Sequence, residues 1–199
     1  PKGYNGMKLV REGSRPVSGD SGLNAIRDRI ASNNLGRPAS SKGQVQHKAD
    51  KTAYLQHLLG YINVANLKPL KILADPGNGA AGPVVQALQS YLPLQIVLVN
   101  QKPDGHFPNG VPNPLLPENR HLTQKALLDN QCDMGLAWDG DFDRCFFFDA
   151  KGRFIEGYYL VGLLAEMLLQ KHPASKIIHD PRLTWNTISQ VQQAGGIAI

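Results

Sequence analysis

Residues 134–149, with the sequence MGLAWDGDFDRCFFFD, contain two apolar runs separated by a short acidic loop. Each run has the length and the β-prone composition of a buried strand, so we predict strands at Met134–Trp138 and Cys145–Asp149. The loop between them then lies where a strand leaves the sheet, a place where ligand-binding and catalytic groups often collect. This strand–loop–strand unit predicts a sheet-containing fold that presents the acidic loop at its edge.

The loop carries three carboxylates, Asp139, Asp141 and Asp143, and Arg144 follows at once. Unpaired carboxylates this close repel each other, and a hard divalent cation relieves that repulsion. Ligation by oxygen alone favours magnesium or calcium over zinc. A calcium EF-hand is excluded because Arg144 would occupy its glycine position and Ala150 its glutamate position. Since an arginine fork suits phosphate, the loop predicts a metal site for phosphoryl chemistry; a solvated turn is the alternative.

Helical and strand patterns alternate along most of the chain. We predict strands near residues 70–74, 95–100, 153–155 and 176–179, and a further strand beginning at 197. Helices are predicted near residues 22–30, 53–61, 83–92, 119–130, 158–171 and 185–193, the last with Thr184 as its N-cap, and a hairpin turn at 149–152. This alternation favours layered α/β domains with a mixed sheet.

Composition is typical of a globular protein of one or two domains, with 199 residues, 42% hydrophobic and 19% charged. No apolar run approaches the length of a membrane span. The two cysteines, Cys132 and Cys145, form no disulfide framework and lie in apolar runs, so we predict core residues in a reduced, cytoplasmic compartment. Because the first residue is Pro1, the sequence suggests an excised piece, and the missing targeting signal says little about localisation.

The net charge of +5 is unevenly distributed. Residues 1–51 contain ten Lys/Arg against four Asp/Glu, whereas residues 52–199 contain eleven against twelve. A basic segment facing an acidic metal loop suits an anionic substrate held between them. A nucleic-acid-binding arm is the alternative, but the basic segment has a single aromatic residue, Tyr4, and no recognisable motif. We therefore predict no nucleic-acid partner and no membrane partner.

Residues 77–82, GNGAAG, satisfy the GxGxxG pattern between a predicted strand and a predicted helix, which is the context of a dinucleotide site. The fit is poor, because Asp75 and the following proline separate the strand from the glycines and Pro83 occupies the helix start. Asp104 also lies inside a loop rather than at a strand end. We favour a tight strand-to-helix turn, with a nucleotide-binding module, or a loose phosphate contact at the helix start, as the alternatives.

Two histidines are candidates for a base or a ligand. His106 lies in the Pro/Gly/Asn-rich loop at 101–118, and His179 ends a predicted strand. For His106 a loop hydrogen bond is the favoured interpretation, and for His179 a structural role.

Four separated segments together resemble the α-D-phosphohexomutase family, most closely its bacterial phosphomannomutases. They are YNGMK at 4–8, DPGNGAAGP at 75–83, PDGHFPNGVPNP at 103–114 and DGDFDR at 139–144. The last is similar to the family's DGDGDR metal loop, with Phe142 in place of the middle glycine. The resemblance spans essentially all 199 residues and keeps the family's order of motifs.

The resemblance implies a four-domain, Mg²⁺-dependent isomerase that moves a phosphate between the 1- and 6-positions of a hexose. A phosphoserine gives its phosphoryl group to the sugar, and a hexose 1,6-bisphosphate forms, reorients and returns the other phosphate. For mannose 6-phosphate and mannose 1-phosphate, the reaction supplies GDP-mannose biosynthesis. Phosphoglucomutase and phosphoglucosamine mutase are alternatives within the family.

Residue by residue, the resemblance assigns Mg²⁺ ligation to Asp139, Asp141 and Asp143. Arg144 would contact phosphate or the reacting centre, and Lys8 would assist proton transfer beside the phosphoserine. Pro1 would be the last residue of the family's serine segment, which puts the phosphoserine outside this chain. Phe142 leaves the carboxylates untouched but is expected to affect the shape of the loop.

The same resemblance divides the chain into three parts. Residues 1–43 would end the first domain and include a linker, residues 44–155 would form the second domain with the metal loop, and residues 156–199 would begin the third. Sugar recognition and the phosphate-binding fourth domain would then belong to the rest of the parent polypeptide. We expect the piece alone to lack mutase activity.

Overall fold

The structure, a computed structural model, describes residues 2–4, 6–37 and 39–199. Pro1, Asn5 and Pro38 lie outside the described residues. They belong to the predicted serine segment, the YNGMK segment at 4–8 and the predicted linker, respectively. The chain forms two compact units, residues 2–51 and residues 52–199, which are described separately.

The smaller unit contains a short hairpin and one helix. Strands β1 (Val10–Arg11) and β2 (Arg15–Pro16) pair antiparallel, with Val10 opposite Pro16. Helix α1 (Asn24–Ala31) confirms the helix predicted near 22–30 but begins later, because Gly22 has a φ of 135° that no right-handed helix accommodates. None of the residues of α1 is buried within the structure as described.

The larger unit is built on a five-stranded mixed sheet. Its strands are β3 (Lys71–Asp75), β4 (Gln95–Leu98), β5 (Met134–Trp138), β6 (Cys145–Asp149) and β7 (Phe154–Ile155). They lie in the order β4-β3-β5-β6-β7, with β3 parallel to β4 and β5, whereas β5–β6 and β6–β7 are antiparallel. This topology confirms the predicted α/β class with a mixed sheet.

Helices cover both faces of the sheet. They are α2 (Thr52–Leu59), α3 (Gly82–Leu88) and α4 (His121–Asp129). Leu73 packs with Leu127 of α4, whereas its neighbour Ala74 packs with Val85 of α3. Successive residues of a strand point to opposite faces, so the two clusters form the two cores of an α/β/α arrangement.

The sequence also predicted a hairpin turn after β6 and core positions for the two cysteines. The hairpin at 149–152 is confirmed, since the Asp149 side chain accepts hydrogen bonds from the backbone amides of Lys151 and Arg153. Cys132 is buried as predicted. The core prediction for Cys145 is wrong: this residue begins the strand, and its side chain is exposed where the acidic loop enters the sheet.

Residues 157–199 add a second α/β element to the larger unit. Helices α5 (Gly157–Lys171) and α6 (Trp185–Gln193) pack through Ala165, Leu169 and Val191, and strands β8 (Lys176–Ile177) and β9 (Ile197–Ala198) pair parallel. Thr184 occupies the N-cap position of α6, as predicted, but its backbone angles are already helical and its side chain makes no cap hydrogen bond. Among the described residues, no helix has the length and apolar character needed to cross a membrane.

Strand order fixes which loops share an edge of the sheet. The parallel strands β3, β4 and β5 all end at that edge, with Asp75 of β3 opposite Ala137 of β5. The turn at 76–81, the loop from 99 onward and the acidic loop at 139–144 therefore lie together. The carboxyl ends of parallel strands are a common position for ligand sites in α/β sheets.

Candidate metal site

The acidic loop gathers its three carboxylates. Asp139, Asp141 and Asp143 each offer one oxygen, and these oxygens all lie within 4.8 Å of one another. Asp139 is 1% exposed, whereas the other two aspartates are exposed. An all-oxygen donor set of this kind fits a hard divalent cation that approaches from solvent.

Asp139 accepts the hydrogen bonds that hold the acidic loop together. One of its carboxylate oxygens, Oδ1, accepts hydrogen bonds from the backbone amides of Asp143 and Arg144, each at 3.1 Å. Burial would raise the pKa of the Asp139 carboxyl, but the hydrogen bonds from these residues outweigh burial and hold the pKa below its ordinary value. The carboxylate is therefore ionised at neutral pH and organises the loop around itself.

Arg144 neutralises the buried carboxylate. Its Nε and Nη2 atoms lie 2.7 and 2.6 Å from Oδ2 of Asp139, and Nε also lies 3.2 Å from Oδ1 of Asp143. The hydrogen bond to Asp139 raises the pKa of the guanidinium. The structure thus places Arg144 beside the predicted ligands, with its donors directed at carboxylate. Its contact with phosphate remains a prediction.

Phe142 shows how the loop turns between its ligands. Its φ of 67° is left-handed, and its amide donates to the carbonyl of Asp139 at 3.3 Å. Glycine adopts this conformation without a steric cost, which explains a glycine at this position of the family motif. The Phe142 ring packs edge-on against Trp138 with the ring centres 6.2 Å apart. Phe142 therefore retains the left-handed turn of the loop and adds a ring contact with Trp138.

We expect the free energy of unfolding of Phe142→Gly to exceed that of Phe142→Ala by about 1 kcal/mol, although a glycine variant is usually less stable than the matching alanine variant. Both variants lose the ring contact with Trp138, but only glycine relieves the left-handed backbone. Urea unfolding of the two variants measures the difference. Equal stability, or a more stable alanine variant, would contradict the strained turn.

The glycines of residues 77–82 allow loops to approach closely. A Cβ on Gly77 would lie 2.4 Å from Cβ of Pro112, and one on Gly79 would lie 2.7 Å from the carbonyl oxygen of Gly140. A Cβ on Gly82 would lie 1.8 Å from the carbonyl oxygen of Gln101. These contacts agree with the predicted tight strand-to-helix turn, because at each of the three glycines a Cβ would collide with a neighbouring residue.

A cleft of about 340 Å³ opens beside the carboxylates. Asp139, Asp141 and Arg144 line one side, and the loop from Phe107 to Asn113 lines the other. This volume is at the lower end of the range for small-ligand sites. The cleft therefore presents acidic oxygens and a guanidinium to the same solvent-filled space.

The remaining predicted residues lie apart from these carboxylates or outside the larger unit. His106 contacts Asp104 at 3.0 Å, and His179 contacts the carbonyl of Asp180 at 3.0 Å, as expected for structural hydrogen bonds. Lys8 is exposed in the 2–51 unit, and its catalytic role remains a prediction. Sequence reasoning did not single out Asp75, a buried carboxylate next to the site, although this residue ends an apolar strand and begins the DPGNGAAGP segment.

Known proteins resemble this chain in sequence. The sequence profile described as phosphoglucomutase/phosphomannomutase, alpha/beta/alpha domain II, matches residues 52–152. A protein of Xanthomonas campestris pv. campestris named phosphohexose mutases is 57% identical over 201 residues, covering 100% of this chain and 44% of that protein. A phosphomannomutase of Escherichia coli is 55% identical over 206 residues, covering 100% of this chain and 45% of that protein.

A solved structure has the same fold. The crystal structure of a phosphoglucomutase/phosphomannomutase family protein from Burkholderia thailandensis matches with a TM-score of 0.75 at 30% identity, covering 88% of this chain and 37% of that chain. The chain thus spans less than half the length of the curated relatives described above.

Proposed function

The chain belongs to the phosphoglucomutase/phosphomannomutase family, and we propose that it carries the Mg²⁺-binding loop of a phosphohexomutase. The proposed reaction interconverts mannose 6-phosphate and mannose 1-phosphate through a phosphoserine and a hexose 1,6-bisphosphate. The gathering of three aspartate oxygens within 4.8 Å carries this proposal, in a chain whose relatives include proteins named phosphomannomutase. Glucose and glucosamine phosphates are the alternative substrates within the family.

We divide the chain into the end of a first domain at 1–43, a second domain at 44–155 and the beginning of a third at 156–199. The family match over residues 52–152 supports the second of these. Because the chain spans 44% of its Xanthomonas relative, we propose that the phosphoserine and the remaining sugar contacts belong to the rest of a longer polypeptide. The isolated chain is then inactive.

The loop residues fit the proposed cation. Asp139, Asp141 and Asp143 would hold Mg²⁺, because the three supply only oxygen donors and Asp139 is held ionised by its hydrogen bonds. A cation held there adds positive charge beside a transferring phosphoryl group, which is the main requirement of phosphoryl transfer. The chain itself would hold the three negatively charged aspartates close together before the cation binds, so that little rearrangement of the loop is needed.

Arg144 and Lys8 would complete the charge arrangement. Arg144 contacts Oδ2 of Asp139, so its guanidinium would compete with a cation for this carboxylate. A guanidinium displaced from the carboxylate would be available for a phosphate in the adjacent cleft. Lys8, in the YNGMK segment, would assist proton transfer near the phosphoserine.

We expect Arg144→Met to bind Mg²⁺ about three- to ten-fold more tightly than the wild type, because a competing cation has been removed. The same variant should lose affinity for hexose 1,6-bisphosphate. Isothermal titration calorimetry measures both. Arg153→Met is the matched control, since Arg153 pairs with Asp149 in the exposed hairpin away from the carboxylate cluster. Unchanged or weaker Mg²⁺ binding in Arg144→Met would contradict the competition.

Ligand titrations separate the proposed function from a nucleotide-binding module. We expect glucose 1,6-bisphosphate to bind the chain in the presence of Mg²⁺, and neither NAD nor ATP to bind in its absence. Binding of a nucleotide without metal, with no metal-dependent binding of the bisphosphate, would favour the module. Coupled turnover of mannose 1-phosphate should be absent in this chain. Clear turnover would contradict the proposal that part of the active site belongs to the rest of a longer polypeptide.

A further inference from the structure

Asp75 is a buried carboxylate whose hydrogen-bond donors, among the residues that the structure describes, are all neutral. It ends β3 and is 5% exposed. Its Oδ1 atom accepts from the Gly77 amide and from Nδ2 of Asn100, both at 3.0 Å, and Oδ2 accepts from the Thr123 hydroxyl at 2.7 Å. Burying a carboxylate without a cationic partner is costly even when it is hydrogen-bonded. The carboxylate therefore does more at this position than fill space.

The contacts of Asp75 extend into two neighbouring loops. Asn109 joins these loops, because its Nδ2 atom donates to Oδ1 of Asn100 at 2.9 Å and to Oδ1 of Asn78 at 3.0 Å. The backbone amide of Asn78 in turn donates to the backbone carbonyl of Asn100 at 2.8 Å. Asp75 and Asn109 thus tie the turn at 76–81 to the loop that follows β4.

That turn holds the acidic loop directly. The Ala80 amide donates to the carbonyl of Gly140 at 3.1 Å, and Gly79 approaches the same carbonyl too closely to carry a Cβ. Gly140 is the residue between the predicted ligands Asp139 and Asp141. A shift of the turn therefore moves the backbone that separates these two carboxylates.

We propose that Asp75 is a positioning residue for the metal loop, acting through the 76–81 turn and its contact with Gly140. The proposal rests on the proposed function, since it takes the three loop aspartates as Mg²⁺ ligands. Asp75 acts through hydrogen-bond geometry, because its two oxygens accept hydrogen bonds from three different segments of the chain. Each member of this chain of contacts lies outside the ligand set itself.

Two pairs of variants separate positioning from stability and from charge. Asp75→Asn keeps an oxygen for Gly77 and Asn100 and offers an amide to the Thr123 hydroxyl, which accepts as well as donates. Asp75→Leu has similar size and loses all three hydrogen bonds. Asn109→Ala cuts the bridge between the loops at an exposed position, whereas Thr123→Val removes a buried donor but leaves the bridge intact.

Calorimetric Mg²⁺ affinity and urea unfolding are measured on the wild type and all four variants. We expect Asp75→Leu to bind about ten-fold more weakly, at the lower end of the changes seen when outer-shell partners are lost. Asn109→Ala should bind only about three-fold more weakly, because it removes the bridge but leaves the hydrogen bonds of Asp75 in place. Asp75→Asn should bind within about two-fold of the wild type. Thr123→Val should lose stability without losing affinity. If Asp75→Leu does not fold, the Asn109→Ala and Thr123→Val pair decides.

Equal weakening in Asp75→Asn and Asp75→Leu would overturn the proposal in favour of a long-range charge effect. Equal affinity in the wild type and every folded variant would also overturn it, while leaving the proposed function intact. A wild-type chain that binds no Mg²⁺ would overturn the proposed function, and this inference with it.

Discussion

Replacing Gly82 with alanine is expected to destabilise the 52–199 unit by about 3 kcal/mol or more, as for severe overpacking of a core. The new Cβ would lie 1.8 Å from the carbonyl oxygen of Gln101 and 2.7 Å from its carbonyl carbon. No side-chain rotation relieves a clash between two backbones. Helix α3 and the loop after β4 would therefore have to separate, which disrupts the packing of Ala81 and Val85 in one of the two cores.

Urea unfolding followed by circular dichroism measures this loss. Gly157→Ala is the matched control, because a Cβ on Gly157 meets nothing within 4 Å and the residue begins helix α5. We expect that control to match or exceed the wild type in stability, since alanine favours helix. A loss below about 1 kcal/mol in Gly82→Ala would contradict the close approach of the two backbones.

Asp139→Asn is expected to cost about 2–3 kcal/mol of folding free energy, because Arg144 loses its buried partner. The new amide would place hydrogen-bond donors against the donors of the guanidinium. The half-exposed Arg144 side chain keeps the cost below that of a fully buried pair. Urea unfolding at pH 7 measures the change. Asp143→Asn, exposed and joined to Arg144 by one longer contact, should cost less than about 1 kcal/mol.

The stability advantage of Asp139 depends on pH in a defined direction. The pKa of its carboxyl is lowered in the folded chain, so the folded state favours the ionised form. The advantage over Asp139→Asn should therefore be present above the unfolded-state pKa of about 3.9 and disappear as the pH falls through the lower folded-state pKa. A stability difference between the wild type and Asp139→Asn that grows as the pH falls would contradict the ion pair between Asp139 and Arg144.

Local patterns were sufficient for most of the fold. Strands β5 and β6 and helix α6 have the predicted bounds, because apolar composition and turn residues mark their ends. Helix α3 ends at Leu88 and tightens into a 3₁₀ turn at 89–91, a change of helix type that apolar spacing does not reveal. Cys145 was misplaced because a hydrophobic neighbourhood in sequence does not say which end of a strand is covered.

The candidate site could be predicted only in part. Spacing alone indicated that Asp139, Asp141 and Asp143 would converge, because alternating residues of a short loop can turn toward one point. The pairing of Arg144 with the buried Asp139 depends on which carboxylate the loop folds around. The place of Asp75 depends on β3 lying beside β5, a strand order that the linear pattern leaves open. Long-range neighbours of this kind are set by the tertiary fold.

The Asp141→Asn variant isolates the metal site from the fold. Asp141 is exposed, and no side-chain hydrogen bond joins it to the rest of the described chain, so we expect its unfolding to match the wild type. Asp129→Asn removes the same charge from an exposed aspartate on helix α4 and controls for general electrostatics.

Calorimetric titration of the wild type, Asp141→Asn and Asp129→Asn with Mg²⁺ tests most directly whether the 139–144 loop is a metal site. The wild type and Asp129→Asn should bind one ion with equal affinity, and Asp141→Asn should bind at least about ten-fold more weakly. Equal Mg²⁺ affinity in all three proteins would contradict the assignment of the loop as the metal site.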